Sequence, residues 1–458
     1  MTIDGIKIGP QTFENCFSLT HIVIPSSVTA IENLAFTNCD SLKEITIPPS
    51  IIEIGNMSFK GCVSLKEVII PSSVQKIGFA AFQRCLSLEK VTILSSLTEI
   101  LTDTFGGCES LIEMNFPSSL ESIGPYSFYN CVSLKKVSNL QSLKKIGNSA
   151  FYNCTSLETI NIPSSLSFIG EEAFAKCKAL KEVTNLSGDF KLIPYKLFYM
   201  CSSLAEIIIP PSVTKIDFSA FNGCNKLKKI EIPSSVTEIN EYAFSLCSSL
   251  EEVIIHPSID VIKERVFVQC EKLKTFSIPS SVKLIEYCAF NECASLTEIE
   301  IPESVTSIKE LAFCSCSSLQ KVKIPSSITK IEPYLFYKCK NLEQVILPSS
   351  LISIEHGAFE KCISLKHIEF PSSLEIIDGK AFYECVNLDE IICPPSISFI
   401  GSMAFAECKS LKQVIISSPD TKIKQDAFKQ CSSLESISLP SSIKTKFQGI
   451  DLKIIHYT

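Results

Sequence analysis

The sequence predicts an α/β repeat solenoid, with a parallel β-sheet on its concave face and short helical or irregular turns on its convex face. Three observations support this prediction. A phenylalanine recurs every 23 residues, a cysteine follows each of these phenylalanines by three residues, and a leucine follows it by six. Periods of this size are typical of solenoids, in which a repeat cannot bury its apolar side without its neighbours.

The repeat begins at Phe13 and continues to Phe428, with one longer unit of 24 residues at 174–198. This spacing defines 19 units, and positions within a unit are counted from its Phe. The unbroken pattern predicts one continuous solenoid over residues 1–443, followed by a capping segment at 444–458, where the pattern is lost. The opening residues fall in mid-repeat and show no comparable cap. They fit either an exposed first coil or a natural chain that begins earlier.

Each unit predicts a short strand followed by a turn. The apolar residues at positions 9 and 11 face one side, as in a half-buried strand, and the Leu at position 6 precedes them. Proline ends this strand at position 12 in 14 of the 19 units, and Ser-Ser usually follows it as a turn. Segments such as Glu171–Cys177 have apolar residues at helical spacing and predict one to two helical turns. Because every unit runs in the same direction, the strands must pair in parallel.

Cysteine is abundant, and 19 of the 22 cysteines stand at position 3 of a unit. Residues at one position of successive coils stack with parallel side chains, which is the wrong geometry for serial disulfides. We therefore expect a buried ladder of free thiols; disulfides or metal binding are the alternatives. The first members of this structural thiol ladder are Cys16, Cys39, Cys62, Cys85, Cys108, Cys131, Cys154 and Cys177.

Composition argues against several classes of function. The net charge is −7 and the chain has only two arginines, Arg84 and Arg265, so a nucleic-acid partner is not expected. No apolar stretch approaches the length that crosses a bilayer, so membrane insertion is not expected. The five histidines are scattered, and no nucleophile, phosphate-loop or zinc motif is present. The sequence therefore predicts no catalytic, cofactor-binding or metal-binding residues, and no cofactor.

One surface of the predicted sheet has an unusual composition. Position 8 is largely charged, whereas position 10, which should face solvent, is often isoleucine. Aliphatic residues ringed by polar ones predict a protein-binding patch, although β-branched residues also simply favour strands. The candidate patch consists of Ile346, His367, Glu369, Glu390, Ile392, Gln413 and Ile415.

Two units depart from the pattern, because Asn139 and Asn185 replace the usual aliphatic residue at position 11. An asparagine there predicts a turn or bulge whose amide bonds to the backbone. The alternative is a kink that divides the arc into two binding segments.

The segment Leu157–Cys177 reads L-E-T-I-N-I-P-S-S-L-S-F-I-G-E-E-A-F-A-K-C. It resembles the BspA-like (Treponema pallidum-type) leucine-rich repeats, whose signature is L-x-x-I-x-I-P-x-x-V-x-x-I-x-x-x-A-F-x-x-C. The resemblance covers about residues 6–443. It implies a leucine-rich-repeat arc and a surface or secreted protein, of the kind found in bacteria and mucosal protozoa, that binds host or partner proteins.

Together these observations favour a non-enzymatic protein–protein interaction scaffold, in the form of a cell-surface adhesin or antigen that binds protein ligands on the concave sheet. The alternative is a cytosolic structural or assembly protein that self-associates through an uncapped N-terminal edge. The visible N-terminus has no secretory signal, which would place the chain in the cytoplasm if that terminus is the true one, whereas the family resemblance implies the cell surface.

Overall fold

The computed structural model describes residues 6–186, 190–256, 258–443 and 447–457, and it folds each repeat into a coil built on short strands. The chain divides into two compact units, Met1–Leu227 and Lys228–Thr458. Both units use the same coil. In most coils a first strand covers some or all of positions 8–11, as in Glu67–Ile70, and a second covers positions 17 and 18, as in Lys76–Ile77.

The strands of the first unit are β1 (Ile6–Ile8), β2 (Val28–Ile31), β3 (Glu53–Ile54), β4 (Glu67–Ile70), β5 (Lys76–Ile77), β6 (Lys90–Ile93), β7 (Glu99–Ile100), β8 (Glu113–Asn115), β9 (Ser122–Ile123), β10 (Lys136–Ser138), β11 (Lys145–Ile146), β12 (Thr159–Asn161), β13 (Phe168–Ile169), β14 (Glu182–Thr184), β15 (Leu192–Ile193) and β16 (Lys215–Ile216).

The strands of the second unit are β17 (Lys229–Ile232), β18 (Glu238–Ile239), β19 (Glu252–Ile255), β20 (Val261–Ile262), β21 (Thr275–Ser277), β22 (Leu284–Ile285), β23 (Glu298–Glu300), β24 (Ser307–Ile308), β25 (Lys321–Lys323), β26 (Lys330–Ile331), β27 (Gln344–Ile346), β28 (Ser353–Ile354), β29 (Ile376–Ile377), β30 (Glu390–Cys393), β31 (Phe399–Ile400), β32 (Gln413–Ile416), β33 (Lys422–Ile423), β34 (Ser436–Leu439) and β35 (Ile455–Tyr457). A 3-10 helix at Leu452–Ile454 precedes β35.

Pairing within each unit is parallel and joins equivalent positions of successive coils. In the first unit β4 pairs with β6, so that Glu67 lies beside Lys90 and Val68 beside Val91. In the second unit β30 pairs with β32 in the same way. Beyond the last repeat, β35 pairs in parallel with β34 and extends that sheet. The repeat period thus sets the register of the sheet directly.

The core of each unit is a set of residue columns running from coil to coil. The repeat phenylalanines stack face to face, with ring centroids 5.1 Å apart for Phe36 and Phe59 and 5.3 Å apart for Phe359 and Phe382. The Cys at position 3, the Leu at position 6 and the aliphatic residues at positions 9, 15 and 18 are buried beside them. Offset-stacked rings add a favourable quadrupole contact to the burial of apolar area.

The predicted helical turns are wrong, because segments such as 171–177 form successive tight turns instead. Two residues in this segment, Glu172 and Lys176, have left-handed backbones with φ of 55° and 61°. An α-helix cannot continue through such residues. In all 19 units the residue at position 2 has a positive φ, and in nearly all the residue two before the Phe does as well.

The hydrogen bonds show what replaces the helix. The backbone N–H groups of Glu172, Phe174 and Lys176 donate to carbonyls of the next coil, at 3.0, 3.2 and 2.6 Å. The intervening Ala175 N–H donates three residues back, to Glu172 O at 3.0 Å. Alternate N–H groups therefore bond between coils rather than along a helix. We call the side of the coil formed by these turns the turn side.

Candidate protein-binding surface on the strand side

The exposed side chains at positions 8 and 10 of the first strands form the strand face of each unit. Their neighbours at position 9 are buried in the core, as for Val68, because successive strand residues point to opposite sides. At position 10, Ile69 and Ile208 in the first unit are 52% and 82% exposed. Apolar side chains do therefore lie on this face.

Four residues of the candidate patch lie together on β30 and β32 in the second unit. Ile392 pairs with Ile415 and Glu390 pairs with Gln413, so two aliphatic side chains lie beside two polar ones. Ile392 is 51% exposed and Ile415 is half-buried. We name these four residues the isoleucine pair site.

The other three patch residues are arranged differently. Segment 366–370 forms no strand in the structure, and it places His367 and Glu369 in the coil between Ile346 and the isoleucine pair site. His367 Nε2 lies 3.8 Å from Glu369 Oε1. Ile346 pairs with Lys323 on its other side. The candidate patch is therefore an aliphatic pair and a separate isoleucine, with a charged coil between them.

A hollow of about 630 Å³ adjoins this region, and sequence reasoning missed it. It lies over β21, β23 and β25, and its charged lining comes from Glu298, Glu300, Glu303, Lys321 and Lys323. Glu303 Oε1 accepts a hydrogen bond from Lys323 Nζ at 2.8 Å. This bond, together with donation by the Ser326 N–H and hydroxyl, lowers the pKa of Glu303 to about 2. The available signal was Glu303 itself, which replaces the serine that usually follows proline.

Both asparagines of the irregular units have left-handed backbones, and the amide of Asn139 bonds to the backbone as the turn interpretation predicted. Asn139 has a φ of 63°, and its Nδ2 donates to Phe116 O at 3.2 Å and to Asn115 Oδ1 at 2.8 Å. Asn185 is also left-handed, and its Nδ2 donates to Asn161 Oδ1 at 2.8 Å. The predicted segment around Asn185 continues into residues 187–189, which lie outside the described residues.

The cysteines at position 3 form a column beside the phenylalanines. All 22 cysteines of the chain carry free thiols. Of the eight ladder members named from the sequence, Cys16 is half-buried and the others are buried. From Cys39 onwards these thiols donate to the carbonyl of the preceding coil's Phe, as in Cys154 Sγ to Phe128 O at 3.2 Å. Burial raises the pKa of Cys39 to about 11 and that of Cys177 to about 12. The cysteines of this column are therefore neutral thiols that donate hydrogen bonds.

Across the described ranges, no group of three or more His, Cys, Asp or Glu side chains could hold a metal ion. A helix of sufficient length and apolarity to span a membrane is likewise not found among the residues that the structure describes.

Coils of this kind, with a parallel strand row, a buried leucine column and one repeat per turn, define a leucine-rich-repeat solenoid. The model of the BspA type leucine rich repeat region matches the chain in six copies, over residues 6–135, 76–204, 121–251, 191–293, 260–374 and 329–449. The chain therefore belongs to the BspA-type leucine-rich repeat family, whose members are typically non-enzymatic scaffolds.

Solved structures similar to this chain include the following three, of which the first supports the fold. A leucine-rich repeat protein from Bacteroides ovatus ATCC 8483 is 28% identical, with a TM-score of 0.54 over 86% of this chain and 91% of that one. A leucine rich cell surface protein from Faecalibacterium prausnitzii A2-165 is 29% identical over 72% of this chain and 87% of that one, with a TM-score of 0.47. The Treponema pallidum leucine-rich repeat protein is 24% identical over 48% of this chain and 77% of that one, with a TM-score of 0.26. No curated protein matches the chain.

Proposed function

We propose that this chain is a non-enzymatic scaffold that binds a protein ligand on the strand face of its second unit, as a cell-surface adhesin or antigen. The repeats of residues 1–443 supply the scaffold in this proposal, and residues 444–458 cap it. The observation that carries the proposal is the isoleucine pair site, in which exposed Ile392 lies directly beside Ile415.

An aliphatic pair edged by polar groups has the composition of the centre of a protein interface. Glu390 and Gln413 border the pair on the same strands. An exposed isoleucine alone needs no explanation, but two paired ones on an open sheet form a contiguous apolar surface. The ligand that fits best supplies apolar side chains opposite this pair.

Charges nearby would orient the ligand. Lys323 lines the charged hollow and pairs with Ile346, so this hollow lies next to Ile346 on the strand face. Charged groups at the rim of an interface mainly steer encounter and fix register. A protein ligand with apolar residues flanked by both signs of charge would complement this arrangement.

A site-specific photo-crosslinker in place of Ile392 tests the proposal. The matched control carries it in place of Ile69, which has the same repeat position and nearly the same exposure in the first unit. We expect the probe at 392 to capture one recurrent protein from cells that make this chain, and the additional change Ile415→Asp to abolish that capture. Equal capture at both positions, or capture that survives Ile415→Asp in a folded variant, would contradict the proposal.

The cell-surface part of the proposal rests on the family. Antibody labelling of intact, unpermeabilised cells should detect the chain, and labelling only after permeabilisation would favour the cytosolic alternative.

Self-association of this chain stays a prediction. Sedimentation velocity over a range of protein concentrations tests it.

A further inference from the structure

The turn side of the first unit contains a second hollow, of about 680 Å³. It lies where the coil of Phe105 carries glycine at both position 1 and position 2, as Gly106 and Gly107. No other unit has this pair of glycines. The ring centroids of Phe105 lie 5.5 Å from Phe82 and 5.6 Å from Phe128. Loss of one coil's side chains therefore opens a slot two coil spacings high.

Aromatic rings border one side of this turn-side hollow. Tyr129 stacks on Tyr152 of the following coil, with centroids 5.0 Å apart, whereas the equivalent position of the preceding coil is Gly106. Gly106 itself supplies no ring for the other side of Tyr129, and the carboxylate of Asp103 lies where a side chain of Gly106 would begin. Tyr126 meets Tyr129 edge to face at 5.8 Å and is 45% exposed. The column of stacked rings is thus interrupted at the hollow.

An amide donor is left open at the same place. Elsewhere in this column an asparagine Nδ2 donates to the asparagine of the preceding coil, as in Asn153 to Asn130 at 2.9 Å. Asn130 itself lines the hollow and faces Gly107, which has no side chain. Among the described residues its Nδ2 has no acceptor.

The rest of the polar lining contains hydrogen-bond donors and acceptors, and it includes both positively and negatively charged side chains. Asp103 accepts a hydrogen bond from Gln83 Nε2, and half-burial raises the pKa of its carboxyl group. Arg84 and Glu109 also line the hollow, and neither side chain makes a hydrogen bond or ion pair to any described residue. A guanidinium disfavours a cationic ligand, and two carboxylates disfavour an anionic one.

We propose that the turn-side hollow binds one neutral sugar ring, packed against Tyr126 and Tyr129 and hydrogen-bonded by Asn130, Arg84, Asp103 and Glu109. Hydroxyl groups both donate and accept, so a polyhydroxylated ring can satisfy all of these groups at once. The ring's C–H groups suit the electron-rich face of a tyrosine. The volume is within the usual range for a small-molecule site. This site is separate from the strand face, and it stands whether or not the strand face binds a protein.

The variant Gly107→Asn tests the proposal without disturbing the fold. Asparagine occupies this left-handed position in other coils, and a Cβ on Gly107 would approach no closer than 3.4 Å, to Arg84 Cγ. The new side chain would fill the slot and accept from Asn130. Gly61→Asn is the control, because Gly61 has the same repeat position and a φ of 72°, but Lys60 rather than glycine precedes it. A Cβ on Gly61 would lie 2.6 Å from Asn38 Oδ1, so the Asn38 side chain must rotate in this variant.

The probes are D-glucose, D-galactose, N-acetyl-D-glucosamine and maltose, added to the full chain in saturation-transfer difference NMR and followed by calorimetric titration. N-acetyltyrosinamide and D-glucuronate serve as an aromatic and an anionic comparison. We expect at least one neutral sugar to bind, Gly107→Asn to weaken it by at least about tenfold, and Gly61→Asn to bind as the natural chain does. Tyr126→Ala should weaken it as well. Absence of binding by all four sugars, stronger binding of either comparison compound, or unchanged binding by Gly107→Asn would overturn the proposal.

Discussion

Raising the pH above about 9 under reducing conditions should unfold this protein, because its buried thiols can ionise readily only in the unfolded chain. Burial raises the pKa of Cys39 from 9.0 to about 11, and those of Cys177 and Cys393 to about 12. Burial also raises the pKa of Cys154 well above 9.0. Ionisation would also turn the donor to Phe128 O into an anion facing that oxygen.

The sign and size follow from linkage. A folded-state pKa above the unfolded value stabilises the protein fully below the unfolded pKa, and this contribution is lost as the pH rises towards the folded pKa. Between pH 9 and 10 each such thiol should therefore remove about 1 kcal/mol from the free energy of unfolding. The eight position-3 thiols of the first unit from Cys39 to Cys201 all have raised pKa values. Together they would remove on the order of 8 kcal/mol, which is comparable to the whole stability of many domains.

The assay is urea unfolding followed by far-ultraviolet circular dichroism at a series of pH values, with thiolate absorbance recorded on the same samples. The variant with Cys131→Ala, Cys154→Ala and Cys177→Ala has three fewer thiols, so its stability should fall by about 3 kcal/mol less over the same pH unit. Lysine and tyrosine titrate equally in both proteins, and the difference isolates the thiols. The reasoning is refuted if both proteins show the same dependence on pH, or if thiolate forms while the strand signal persists.

Three further outcomes test the coil itself. Phe151→Ala should lower the free energy of unfolding by about 3–5 kcal/mol, since it breaks the stacked column. Phe168→Ala, at a 46% exposed position, should lower it far less, and chemical denaturation of the two variants measures the difference. Asn139→Ile restores the residue type usual at position 11 but should destabilise by about 1–2 kcal/mol, because a β-branched residue must then adopt a positive φ; a more stable variant would contradict the structure. A maleimide reagent on the folded chain should label Cys16 and Cys431, the two half-buried thiols, before any other, as mass spectrometry of the digest would show.

Much of the coil followed from residue spacing alone. Phe, Cys and Leu recur without exception, so their columns and the parallel register could be derived from the period. The second strand, such as Lys76–Ile77, was not predicted as a strand, because two residues carry too little alternation to reveal one. Its apolar member, Ile77, is buried.

The helical turns were the principal error, and a signal against them was present. Asparagine or glycine stands at position 2 in several units, for example at Asn15, Asn38 and Gly61, and these residues favour a left-handed backbone. Apolar spacing of three and four residues cannot distinguish a helix from successive tight turns that bury the same side chains. The decisive bonds run between coils, over distances along the chain that a local pattern does not describe.

The candidate surfaces were only partly predictable for a similar reason. Pairing of Ile392 with Ile415 followed from the repeat, but the loss of strand structure at 366–370 did not. The turn-side hollow forms because Gly106 and Gly107 have no side chains at positions where other coils have them. A search for positive motifs overlooks such a site.

The hydrogen bonds between successive coils affect how genes that encode this repeat can gain or lose sequence. Each coil offers N–H groups to its successor and carbonyls to its predecessor at the same positions, as Phe151 does with Ala173 and Phe174 with Leu197. Recombination that adds or removes a whole repeat would therefore leave two matching surfaces to rejoin. A change of any other length must be absorbed within one coil, as in the 24-residue unit at 174–198, where Phe174 still stacks on Phe198. Lineages carrying this repeat are thus expected to differ in the number of coils far more readily than in the length of one.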